Sequence, residues 1–226
     1  APFVRETTDV GLGNGAGRFT GNTENRIAFT DGDALDATGK LTIAFRAKPS
    51  AACLDGLPRG IVSKRIASGN QAAYSAFVFT GGRLFLDLDA GQNAPTRIDT
   101  GYTMTTNWQS VAIVYDGALS SAQRVKVYVN GALVKTASLP ATSIRNRESG
   151  LFIGSLNAQF IYGGGPCAFD GLLDDVRISR SALTAAEVLS LHQSAARIPG
   201  TVLWLDFENA QHPAADISPE PVIHHL

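Results

Sequence analysis

Apolar and polar residues alternate along most of this chain in short runs, and each run closes on glycine, asparagine or aspartate. Period-two hydrophobicity between tight turns marks half-buried β-strands. Such runs are Arg26 to Phe29, Leu41 to Lys48, Gly60 to Lys64, Tyr74 to Thr80, Arg83 to Asp89, Ser110 to Tyr115, Arg124 to Val129, Ala132 to Ser138, Leu151 to Ser155, Leu172 to Ser179 and Val202 to Phe207. That many strands in one chain require two packed sheets. Asn130-Gly131, set between VKVYV and ALVKT, predicts a type I′ hairpin because both positions tolerate positive φ, and Gly81-Gly82 predicts a second. A helical period emerges once, from about Ala185 to Ala195, where Thr184 and Glu187 make a capping box and Val188, Leu189 and Leu191 give a short apolar face. Pro199-Gly200 ends that segment and TVLWLDFEN restarts an apolar strand. The tail from Asn209 to Leu226 has no periodicity and is expected to be extended. The expected fold is all-β, a two-sheet antiparallel jelly-roll sandwich with one short helix near the C-terminus, in a single domain over residues 1–226.

Charge narrows the function classes. With 17% charged residues and a net of −1, the chain lacks the basic excess that sequence-independent nucleic-acid binding needs. Its apolar runs are too short to cross a membrane as helices, so membrane insertion is not expected. An opening at Ala1 without methionine fits a mature secreted product or a trimmed chain. Cys53 and Cys167 lie in Gly/Pro-rich loops without metal spacing. A bridge between them is expected, worth roughly 4–5 kcal/mol in the chain-entropy model, and it would imply an oxidising compartment. Two thiols buried as small hydrophobes are the alternative.

Several segments, in order, resemble the laminin-G-like and pentraxin-like branch of the concanavalin A-like lectin/glucanase superfamily: GRFTGNTENRIAF, LTIAFRAKPS, GIVSKR, NWQSVAIVYDG, VKVYVNGALV, LFIGS and FDGLLDDVRISRSALTAAEV. The resemblance implies a jelly roll serving as a glycan-binding or adhesion module, secreted, periplasmic or at the cell surface, beside other domains of a larger protein and sometimes with calcium. Relatives usually begin with a strand of aromatic-x-Phe character, whereas Ala1 to Arg18 reads as Gly-rich loop after PFVRE. TVLWLDFEN has the missing character and is expected to fill the place as an edge strand, or else to open a further repeat.

Three kinds of site follow. Period two puts Asp174 on the face of Leu172, Val176 and Ile178, and a carboxylate turned towards a core must be paired or coordinate a cation. A structural Ca2+ is expected there, with Asp31 and Gly32 of the early Thr30–Asp33 loop as partners, as the resemblance implies. The competing reading is that Asp174 accepts backbone N–H bonds or pairs with Arg26. For a glycan, exposed loops offer Arg145, Asn146 and Arg147 in SIRNRES, and Asn157, Gln159, Phe160 and Tyr162 in NAQFIYGGGP. The two arginines would favour an acidic sugar. Trp108 and Trp204 read as packing residues.

An enzyme is the other function class. Glycosidases of this superfamily set paired carboxylates on one strand, and Asp87 and Asp89 are the nearest imitation. A polysaccharide lyase acting on an acidic polymer would draw on Arg46, Lys48, Lys64, Tyr74, Lys126 and Tyr128, although no strand carries a histidine. The reading favoured is non-catalytic, with no catalytic residue assigned.

Overall fold

The computed structural model describes residues 4–66, 71–91, 95–157, 161–162 and 165–219. Alternation becomes strand where expected, and in chain order the strands are β1 (Val4–Glu6), β2 (Ala16–Thr20), β3 (Ile27–Phe29), β4 (Lys40–Pro49), β5 (Arg59–Arg65), β6 (Ala72–Phe79), β7 (Arg83–Leu88) and β8 (Thr96–Thr103). They continue as β9 (Gln109–Asp116), β10 (Val125–Val129), β11 (Ala132–Ala137), β12 (Leu151–Ile153), β13 (Ile161–Tyr162), β14 (Gly165–Pro166), β15 (Asp170–Ser179) and β16 (Thr201–Leu205), with helix α1 (Ala185–Gln193) before the last. Sheet A runs β1-β2-β15-β4-β9-β10-β11, with β16 also on β15, and sheet B runs β3-β12-β5-β6-β7-β8. Every strand pair within both sheets is antiparallel.

VKVYV and ALVKT pair across Asn130-Gly131, whose φ angles of 50° and 78° are those a type I′ turn requires. The inner faces of the two sheets meet in one apolar core, where Phe19, Phe45, Tyr115 and Phe207 are fully buried. Tyr74 also faces inward, and its hydroxyl donates to the Leu35 carbonyl at 3.1 Å.

Segments from early and late in the chain, β1, β2 and β16, enter sheet A. TVLWL joins it as β16, pairing Leu205 with Val176 and Trp204 with Arg177, the edge-strand role expected of it. β2 occupies the other half of the same edge, opposite Asp170 to Leu173. The expectation of loop through Arg18 is therefore corrected: AGRFT is strand, with Phe19 buried and Arg18 exposed, a run too short for periodicity to reveal.

The outer face of sheet A carries apolar side chains as well. Ala44, Ala112, Val114 and Tyr128 are covered by Val188 and Leu191 of α1. Thr184 and Glu187 form the predicted capping box. At the other end Arg46 Nη2 donates to the carbonyls of Leu191 at 3.0 Å and His192 at 2.7 Å, satisfying acceptors that a helix terminus leaves open.

Strand β15 breaks its own alternation. Asp175 has φ 49° and pairing with β4 slips between Asp174 and Arg177, a β-bulge. The bulge shifts the phase, so Leu173, Val176 and Ile178 face the core while Asp174 does not. Arg177 holds Asp175 through two nitrogens at 2.8 and 2.6 Å, and Trp204 Nε1 donates to the same oxygen at 2.8 Å, which stabilises the unusual backbone.

The expected bridge is absent. Cys53 and Cys167 are both buried and not bridged to each other, Cys53 in the inter-sheet core and Cys167 against Phe77, Phe85 and Leu156 in a separate cluster. Each is shielded among apolar neighbours of its own, and burial pushes the Cys53 thiol up to about 12.

Candidate functional site

Among the described residues, the outer face of sheet B carries polar and aromatic rows and no helix packs on it. Ser63, Ser75, Asp87 and Arg97 stand side by side across β5 to β8. The serine hydroxyls bond each other at 2.8 Å, and Arg97 grips both Asp87 oxygens at 2.8 Å. Arg65 approaches Asp87 from the other side at 3.5 Å, and both of these groups are fully buried. The exposed Arg97 guanidinium lies 5.0 Å from the Phe77 ring centre. Arg83 repeats the device 5.8 Å from Phe85, paired with Asp99 at 2.6 Å. Phe77 and Phe85 stack at 5.9 Å, and Leu156 and Cys167 pack on them.

Two loops singled out from sequence converge at the end of β5. The Arg65 carbonyl accepts from Ser149 Oγ at 2.6 Å and from Asn157 Nδ2 at 2.7 Å. Their polar groups are largely engaged. Arg147 binds the buried Asp89 carboxylate at 2.5 Å and Gln71 at 3.2 Å, while Asn157 is buried. Asn146 donates to Asp36 at 2.8 Å, and Arg145 to the Gly91 carbonyl at 2.5 Å, yet both remain exposed. Gln159, Phe160 and the side chain of Tyr162 lie outside the described residues. Sequence reasoning missed Lys64 as the hub: its fully buried Nζ lies 2.5 Å from Asp31, 3.1 Å from Asp36, and 2.8 and 3.1 Å from the carbonyls of Arg147 and Ser149. A buried ammonium is tolerated because acceptors surround it.

The residues expected to share a Ca2+ are not brought together. Asp31, beside Gly32, has Lys64 as its cation on sheet B. Asp174 lies on sheet A and accepts from the backbone N–H of Leu12 at 2.7 Å and of Asp175 at 2.7 Å, so the backbone-acceptor alternative describes its contacts. Its pairing with Arg26 does not occur, since Arg26 reaches the Thr23 carbonyl and the Phe152 ring. Asp174, Asp175, Asp206 and Glu208 line a cavity of about 220 Å³. Burial, with Asp175 and Glu208 adding to it, pushes the Asp174 carboxyl up to about 7. Among the described residues, no group of three or more His, Cys, Asp or Glu side chains is arranged to hold a metal ion.

The enzyme constellations are dispersed. Asp87 and Asp89 are fully buried and held by arginines, closed to the proton transfers of a glycosidase pair. Tyr74 and Lys64 belong to sheet B and are buried, whereas Arg46, Lys48, Lys126 and Tyr128 belong to sheet A, where Arg46 holds the helix end and Tyr128 lies beneath it.

Among solved structures the chain is similar to three carbohydrate- or receptor-related domains. Domain 4 of AbnA, an extracellular arabinanase from Geobacillus stearothermophilus solved with arabinotriose, matches at TM-score 0.59 and 18% identity over 85% of this chain and 82% of that one. A carbohydrate binding protein, so described provisionally, from Bacteroides ovatus matches at 0.60 and 18% over 86% and 52%. The binding domain of botulinum neurotoxin serotype G matches at 0.61 and 16% over 85% and 45%, so this chain spans less than half of that domain's length. No curated protein matches the chain. The Laminin_G_3 model matches residues 20–189, three-quarters of the sequence and the stretch from β2 into α1, and the chain therefore belongs to that family of the concanavalin A-like lectin/glucanases superfamily.

Proposed function

We propose that the chain is a non-catalytic glycan-binding or adhesion module of an extracellular protein, and that sugar docks on the outer face of sheet B. One observation carries this reading: the partly exposed Arg83 and Arg97 guanidiniums stand over buried phenylalanine rings and are braced by Asp99 and Asp87, so that fixed donor edges face solvent. Sugars present the complementary groups, ring hydroxyls that accept hydrogen bonds from such donors. The exposed Arg145 and Asn146 lie beyond the other end of β7, where Arg145 donates to the Gly91 carbonyl. Carboxylates already neutralise the arginines of this face, so a neutral glycan suits it better than a uronate. The similarity to the Geobacillus domain, solved with arabinotriose, and to the Bacteroides carbohydrate binding protein supports the class of ligand. Buried Asp87 and Asp89 support a role without turnover.

The test is a screen on immobilised neutral oligosaccharides followed by titration calorimetry. Arg83→Ala and Arg145→Ala are expected to weaken the best ligand about tenfold each, equivalent to ~1.4 kcal/mol. Undiminished affinity in both variants would move the site elsewhere, and release of ultraviolet-absorbing unsaturated products from acidic polysaccharides would overturn the non-catalytic reading.

A further inference from the structure

The proposed glycan face leaves unexplained why sheet A, already covered by α1 over half its outer face, is crossed on the other half by a polar, glycine-rich segment. Arg46 and Lys48 alternate on β4 and point outward, and Trp108 stands immediately before β9, one position beyond the Ala47–Gln109 pair. Residues 9–14 lie over them. Asp9 Oδ2 is 2.5 Å from Lys48 Nζ and Asp9 Oδ1 accepts from Trp108 Nε1 at 2.8 Å, so the carboxylate is clamped between an ammonium and an indole N–H. Gly11 covers the indole face: a Cβ there would stand 2.9 Å from the Trp108 ring and 3.1 Å from Arg46 Cδ. Further along, Leu12 N–H donates to Asp174, and Asn14 N–H to Glu208 at 2.9 and 3.0 Å.

We propose that residues 9–14 are a displaceable strap over a second binding site on sheet A, and that the site takes a carboxylate-bearing saccharide whose acid group Asp9 imitates. A uronate would place its carboxylate between Lys48 and Trp108 Nε1 and its C–H face on the indole where the Gly11 backbone now lies. Arg46 Nε, buried without a hydrogen-bond partner, adds a donor beneath Gly11. The strap is suited to leave. Val10 and Leu12 belong to none of the core clusters, and the Asp9 attachment to Lys48 and Trp108 is a carboxylate contact that an anionic competitor replaces. Lys48 and Asp9 side chains are 33% and 41% exposed, so a ligand can reach the ion pair without unfolding the sheet. The Lys48 ammonium also holds the Asp9 carboxyl below its ordinary value, the preference for an anion that a uronate would share.

The site is distinct from the face on sheet B, and the experiment separates them. Oligogalacturonate is titrated into the whole chain with tryptophan fluorescence as the reporter, neutral galacto-oligosaccharide and poly-glutamate serving as comparators. If the strap is closed about nine-tenths of the time, Asp9→Ala raises affinity for oligogalacturonate about tenfold, because the competent fraction rises to one. Asp9→Asn, which keeps the side-chain shape, moves in the same direction, and Asp9→Ala with Lys48→Met loses the gain. The proposal is overturned by unchanged affinity in both Asp9 variants, by a gain that survives Lys48→Met, by an equal gain for the neutral sugar, or by poly-glutamate binding as tightly as the saccharide. Arg83→Ala must leave the gain intact, and its loss there would assign the ligand to sheet B.

Discussion

The outer faces of the two sheets solve the same problem in opposite ways. Sheet A carries alanine, valine and tyrosine outward, and burying them requires a cover, which α1 supplies, while residues 9–14 lie over Arg46, Lys48 and Trp108. Sheet B carries serine, aspartate and arginine outward between phenylalanines and, among the described residues, has no helix over it; its charges are satisfied within the sheet. Covering a face demands apolar complementarity from a remote segment, whereas leaving one polar demands that each charge find its counter-charge locally. The first arrangement hides apolar side chains under a helix, and the second buries a paired polar row that leaves the Arg83 and Arg97 guanidiniums at the surface.

The most severe way to break that contrast is to remove the carboxylate at the centre of sheet B. Asp87→Ala withdraws the shared partner of the buried Arg65 and of Arg97, and a broken buried pair costs about 3–5 kcal/mol. A urea titration is expected to show a loss of that size. A loss below ~1 kcal/mol would mean that water reaches this row and that the two faces differ less than their packing implies.

On sheet A the corresponding weak point is Asp174, and its effect depends on pH. The groups facing it are Asp175 on β15, Arg46 on β4, Leu12 N–H in the strap, and Asp206 and Glu208 after β16. Its folded-state value of about 7 lies above the ordinary 3.8, so the folded protein prefers the protonated acid. The resulting stability is fully present below pH ~4 and is lost as pH rises through 7, with an upper size of the order of 4 kcal/mol. Urea midpoints are expected to fall from about pH 4 to about pH 7 and to level off above that, and Asp174→Asn to flatten the fall. The same profile in the variant would assign the pH dependence to another group.

These two carboxylates also mark how far sequence reasoning reached. Asp87 sits in regular alternation, and its facing row follows once the register of β5 to β8 is known. Asp174 is expected on the core face as a paired or cation-bound carboxylate and lies off it, because period two fails at a bulge and nothing in DGLLDDVRIS announces positive φ at Asp175. The hairpins, the capped helix and the entry of TVLWL into a sheet were legible because each rests on contacts within a few residues or on one apolar face. Lys64 was not: five distant groups converge on it, and the sequence shows only a lysine on an alternating strand. The covering of Trp108 by Asp9 and Gly11 is equally non-local.

The cover of sheet A can be loosened without touching a charge. Thr184→Ala removes the side chain that accepts from the Glu187 N–H and breaks the capping box, for a cost of about 1 kcal/mol. Thermal melting is expected to report it, and hydrogen exchange should rise first in Ala185 to Val188. Unchanged exchange would mean that packing on Tyr128 and Ala112 alone holds the helix.

The smallest expected stability effect belongs to Arg83 and Asp99, and it tests the comparison most sharply. Both side chains are partly exposed, at 43% and 33%, and a pair of that kind contributes roughly 0.2–1 kcal/mol. Asp99→Asn should therefore leave the urea midpoint nearly in place. The guanidinium would keep its position 5.8 Å from the Phe85 ring but lose its brace, so a presenting surface should bind neutral oligosaccharide more weakly through a faster off-rate while a merely structural pair would show no change. On sheet A the reverse holds: Asp9→Ala removes a comparably exposed pair, with similarly slight cost in stability, and ligand affinity rises because the carboxylate there occupies a site instead of bracing one. Opposite signs of the affinity change from two surface pairs of similar stability would distinguish a face that presents from a face that is covered.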